Sequence, residues 1–111
     1  MSATTKAAVA VLDSVRERFL DRLGDRCLEI ETLMLAVDER GPEPRLIKEI
    51  AMRAHKTAGI APTLGFKELG DLALKVETLL GKPINAEGWS ACRPMVEELL
   101  DQIEAVLDEA M

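Results

Sequence analysis

Apolar residues recur at steps of three and four along most of the chain, the period of a helix buried along one side. The longest series is Val15, Phe19, Leu23, Cys27, Ile30, Leu33 and Val37, which predicts one amphipathic helix to about Glu39. Ahead of it, Ser14-Val15-Arg16-Glu17 has the capping-box form, with serine at the N-cap and glutamate three residues on. A separate short helix is therefore expected before it, starting in Ser2-Ala3-Thr4-Thr5 and ending near Leu12. Gly24, inside the long series, is a candidate bend, and Gly41-Pro42-Glu43-Pro44 ends the helix.

The next segment runs from Arg45 to about Thr63, with Leu46, Ile50, Ala54, Thr57 and Ala61 on one face. Pro62 removes a backbone donor there, so the last turn is kinked or the helix stops near Ile60. Gly65 reads as the left-handed residue after a helix end. A further helix is expected from Phe66 to Leu80, burying Leu69, Ala73 and Val76 and closed by Gly81-Lys82-Pro83. The last carries Trp89, Cys92, Val96, Leu99, Ile103, Val106 and Leu107. Asn85 and Ser90 are both competent caps for it, and Pro94 is best placed in a first turn. Four long helices joined by short turns predict an all-α fold. The expected form is an antiparallel up-down-up-down four-helix bundle, crossed by the short additional N-terminal helix. One domain over residues 1–111 is expected, because 48% hydrophobic content fills a single core at this length. Aromatic content is 3% with no tyrosine, so aliphatic side chains must build that core.

A formal charge of −6 argues against a nucleic-acid partner, whose phosphates need a basic surface. No run of apolar residues reaches the length of a membrane span, and Ala7–Leu12 is too short for a secretory signal. Cys27 and Cys92 show no CxxC spacing and read as reduced core thiols. These features predict a cytoplasmic protein, monomeric as one closed bundle.

His55 is the sole histidine. On a wheel of about 100° per residue it falls about 110° from the centre of its helix's apolar stripe. Lys48, Met52 and Gly59 lie on the solvent side. At that edge an imidazole is rooted in the bundle while one ring nitrogen faces water. His55 stands ten residues before Gly65 and Glu77 twelve after it. In an antiparallel pair turning at Gly65 the offset is only about 3 Å. Glu77 can then accept a hydrogen bond from Nδ1–H of His55, leaving the Nε2 lone pair outward. Gly59, one turn beyond, either lets another helix approach or leaves room for a partner's backbone. Arg45, Lys48 and Lys56 form a basic stripe with Arg53 near it, suited to an acidic partner or to ordinary solvent.

The stretch Ala54-His55-Lys56-Thr57-Ala58-Gly59-Ile60-Ala61-Pro62-Thr63-Leu64-Gly65-Phe66 resembles the A-H-K-x-x-G-x-x-x-x-[LV]-G-[FL] signature of the histidine-containing phosphotransfer (HPt) family. The resemblance implies the same bundle and a phosphorelay intermediate. His55 would accept a phosphoryl group from a response-regulator receiver aspartate and pass it reversibly to another receiver. It also implies Glu77 as the residue that orients the imidazole. The partners implied are response-regulator receiver domains or a hybrid histidine kinase, with Mg²⁺ on the receiver and no cofactor in this chain. No ATP-binding motif is present, so a phosphocarrier without autokinase activity is expected. The chain departs from the family at Ala58, where a lysine usually helps to neutralise the phosphoryl group. Lys56 is the candidate to take over that charge, with Lys48, Met52 and Gly59 as partner-binding residues. The departure keeps a second reading open, a helical adaptor or decoy that binds receivers or other helical partners without accepting phosphate. A metal-carboxylate bundle is disfavoured, because Met52 stands three before His55 where the Glu-x-x-His pairs of such sites place a glutamate.

Overall fold

The computed structural model describes residues 3–110, with side chains from Lys6 onward. Four helices account for most of them: α1 (Ala3–Arg40), α2 (Pro44–Ile60), α3 (Lys67–Leu79) and α4 (Ala86–Ala110). A single 3-10 turn, Ala61–Leu64, joins α2 to α3. α1 packs on α2 and α4, and α3 packs on the same two, so the four close into a ring around one core. The core is aliphatic as composition requires, with Leu23, Ile30, Ile50, Leu69, Leu99 and Ile103 fully buried.

The expected break between two N-terminal helices does not occur. α1 is one helix of 38 residues, about 57 Å long at 1.5 Å per residue, and it sets the 56 Å long axis of the molecule. Ser14 is an exposed interior residue instead of an N-cap. Ala3–Leu23 contains neither glycine nor proline. Ending a helix there would orphan backbone groups that continuation satisfies. Of the start expected in Ser2-Ala3-Thr4-Thr5, Ser2 lies outside the described residues, and the helix is already formed at Ala3. Side chains of residues 6–14 are all exposed. Packing begins at Val15 and Phe19, and the end of α4 lies beside Glu17, Leu20 and Asp21.

The connections follow local chemistry. Gly41, at φ 91°, ends α1 with its N–H on Val37 O at 2.8 Å. Pro44 sits at the start of α2, where its missing donor costs nothing. Pro62 stops the α-helical ladder after Ile60, and the chain tightens into the 3-10 turn. Gly65 then adopts φ 91°. Phe66 N–H bonds to Ala61 O at 2.9 Å and Gly65 N–H to Pro62 O at 3.2 Å, the Schellman pattern. Gly70 in α3 matters for a different reason, since a Cβ there would lie 2.5 Å from Pro62 Cγ. The turn is thereby pressed onto α3. Asn85, not Ser90, caps α4, its Oδ1 accepting the Gly88 N–H at 2.8 Å. Pro94 consequently falls inside α4 instead of in its first turn.

Candidate functional site

Ala54 and Thr57 point into the core of α2 and are fully buried. Thr57 spends its hydroxyl on Arg53 O at 2.9 Å. These inward residues rotate His55, between them, out of the bundle, and its side chain is 69% exposed. Glu77 comes up on α3 beside the buried Val76 and is half-buried. The two side chains meet: His55 Nδ1 lies 2.7 Å from Glu77 Oε1. A carboxylate accepts, so this pairing calls for the tautomer with its proton on Nδ1, and Nε2 has no hydrogen-bond partner among the described residues.

Around the imidazole the exposed surface of α2 consists of Lys48, Met52, Lys56 and Gly59. A Cβ on Gly59 would meet no atom within 4 Å, which removes the internal-packing explanation for this glycine. The basic stripe divides. Arg45, Lys48 and Lys56 are exposed, whereas Arg53 is tied to Glu49 at 2.6 Å and Glu29 at 3.4 Å. Those bonds raise the Arg53 pKa, the Glu49 hydrogen bond contributing most, and make it part of the α1–α2 contact. Ala58 packs half-buried against the core.

A family model of the Hpt domain matches residues 14–109. The chain belongs to the Hpt domain family. Hpt domains are phosphocarriers of two-component signalling that work with receiver domains and histidine kinases. Comparison with curated proteins and with solved structures finds no match. No helix of this Hpt domain, among the described residues, is long and apolar enough to cross a membrane.

Two further clusters in the Hpt domain escaped sequence reasoning. At the C-terminal end of α1, Asp38 accepts hydrogen bonds from Trp89 Nε1 at 2.9 Å and from Arg93 Nη2 at 2.8 Å. The Arg93 guanidinium, followed by the indole N–H, holds the Asp38 carboxyl below the usual carboxylate range. Trp89 offered the one sequence signal, since a buried indole N–H needs an acceptor. Between α1 and α4, Cys27, Glu31 and Glu104 bring a thiol and two carboxylates within 4.8 Å. Burial and both carboxylates push the Cys27 thiol up to about 11, so it is protonated at neutral pH. Both cysteines are free thiols.

Proposed function

We propose that this Hpt domain is a phosphorelay intermediate in which His55 carries the phosphoryl group between receiver aspartates. One observation carries the reading: the imidazole is exposed while its Nδ1 is held 2.7 Å from Glu77 Oε1. That bond supports Nε2 as the nucleophile, because it commits Nδ1 to Glu77. The Nε2 lone pair attacks the phosphorus of the receiver's aspartyl phosphate. An N–P bond forms, the P–O bond breaks, and the aspartate carboxylate leaves with the electron pair. Nδ1 keeps its proton, and Glu77 offsets the positive charge that the ring gains. Return to another receiver is the same displacement reversed. The chain supplies positioning and charge, which is most of what phosphoryl transfer requires.

Lys56 supplies the cation that Ala58 lacks, and Lys48, Met52 and Gly59 form the landing surface for the receiver. Mg²⁺ belongs to the receiver, whose acidic pocket would hold it. The bundle reads as antiparallel, up-down-up-down, supported by Asp38 near the end of α1 meeting Trp89 near the start of α4. A single domain, acting as a monomer in the cytoplasm and without autokinase activity, is the form proposed.

The test is transfer from a receiver phosphorylated with radiolabelled phosphate. The wild type should gain acid-labile, base-stable label, and His55→Gln should fold normally and gain none. Acid-stable label, or label that survives the substitution, rejects the assignment. A receiver that binds the wild type but never labels it favours the adaptor reading.

A further inference from the structure

Arg18, Arg22 and Arg26 recur every four residues on α1, so they form one row along the helix. Like charges at that spacing repel. None of the three has a carboxylate in ion-pair contact among the described residues, where Arg53 and Arg93 hold such pairs. Arg26 bears the strain most clearly: its Nη1 is shut away from water and has no hydrogen-bond acceptor. Burial first, and then the neighbouring Arg22, lower its pKa, with Glu29 opposing and Arg53 adding to the effect. A buried cationic N–H without a partner is costly unless something else supplies the acceptor.

The row borders two adjoining cavities in the groove between α1 and α2. One, of about 280 Å³, has an apolar floor of Val15, Phe19 and Ile60 under Arg18, Arg22 and Arg26. The other, of about 180 Å³, lies between Arg22 and Arg26 on one wall and Met52 and Lys56 on the other. Asp25, Glu29 and the ion-paired Arg53 also line it, so this end is mixed in sign. Arg22 and Arg26 border both cavities, so the two are neighbours along the arginine row. Met52 and Lys56 stand about 60° and 100° around α2 from His55, at 3.6 residues per turn. Both turn toward α1, since they share a cavity with its arginines. A body covering His55 and crossing Met52 therefore arrives at the groove.

We propose that the α1–α2 groove selects the receiver: it takes an acidic amphipathic segment, with apolar side chains on the Val15–Phe19–Ile60 floor and carboxylates on Arg18, Arg22 and Arg26. This rests on the phosphorelay reading for the partner's class, and deepens it by naming what the partner must carry. The row of unpaired cations is the complement of such a segment, and it stands out on a chain of net charge −6. Complementary charge of this kind sets specificity and encounter rate more than raw affinity.

The experiment measures calorimetric binding of a panel of receiver domains, presented singly, to the wild type, R18Q/R22Q and R18E/R22E. Both arginines are exposed and unpaired, so the variants should fold, and a melting curve checks that they do. The best receiver should bind R18Q/R22Q at least tenfold more weakly than wild type, with most of the salt dependence gone. R18E/R22E should lose more. Neutralising acidic residues on the receiver's docking segment should weaken binding to the wild type but add little on R18Q/R22Q. Labelling of His55 by phosphoramidate, a small donor that needs no docking, should be the same in all three proteins. Unchanged receiver affinity in the folded charge-reversed variant overturns the proposal, as does a panel in which no receiver binds. Arginine-dependent binding without any label on His55 would leave the groove standing and reject the relay instead.

Discussion

Two of the polar clusters that bridge helices in this molecule are built to opposite ends. Between α1 and α4, Asp38 accepts from both an indole N–H and a guanidinium, while Arg93 also pairs with Glu97. Its strong donors and acceptors are matched to one another. Between α2 and α3, Glu77 holds one nitrogen of His55, and the other ring nitrogen is left unspent on a side chain 69% exposed. Saturation marks the first as a clasp. The incomplete bonding of the second leaves a group available to something outside the chain. Similar helix-to-helix contacts thus differ in what they leave unbonded.

Substitutions should separate the two. The largest effect on stability is expected for Asp38→Ala, which strands Trp89 Nε1 and the Arg93 guanidinium at a partly exposed site. A loss of about 1–3 kcal/mol follows from a removed charge-assisted partner, read by urea denaturation. Phosphotransfer by the folded fraction should match the wild type. A stable Asp38→Ala protein, or a folded one with slow transfer, would break the contrast.

Next comes Gly59→Gln on the open side. Relief from a helical glycine should hold or raise stability, by up to about 1 kcal/mol, read as an unchanged or higher melting temperature. The new side chain stands one turn from His55, so transfer from a receiver should fall at least about tenfold, near 1.4 kcal/mol. Normal transfer would move the landing surface elsewhere on the molecule.

The smallest effect is an acid dependence. Asp38 has a folded pKa below its unfolded one, so its contribution is complete at neutral pH. That contribution fades as pH falls below about 3.9, the ordinary aspartate value, and vanishes below the folded pKa. Asp38→Asn should flatten this part of the stability–pH curve. Identical acid limbs in variant and wild type would show that the clasp does not couple to folding.

Much of the α2–α3 hairpin was legible in the sequence because helical geometry is regular. Counting outward from Gly65 was enough to bring His55 and Glu77 together, and the core faces of α2 and α3 followed from their period. Pro62 likewise announced the end of the α-helix at Ile60. Local signals misled where they stood alone. Ser14-Val15-Arg16-Glu17 has capping chemistry, yet no breaker flanks it, and an unbroken helix satisfies more backbone groups than a capped start. Pro94 suggested a late start for α4, but the Asn85 cap and the tie between Trp89 and Asp38 hold the helix from Ala86. The clasp pairs residues 51 and 55 positions apart, and the arginine groove likewise joins two helices, where periodicity gives each face but not its neighbour.

The Schellman turn at Gly65 has a consequence for inheritance. With the turn pressed onto α3 at Gly70, the length of chain from His55 to Glu77 acts like the pitch of a gear. One residue gained or lost within α3 ahead of Glu77 would rotate that side chain by about 100° relative to the turn. The imidazole would then face solvent alone. Lineages descending from such a protein can exchange the side chains around this pair far more freely than they can alter the count between them.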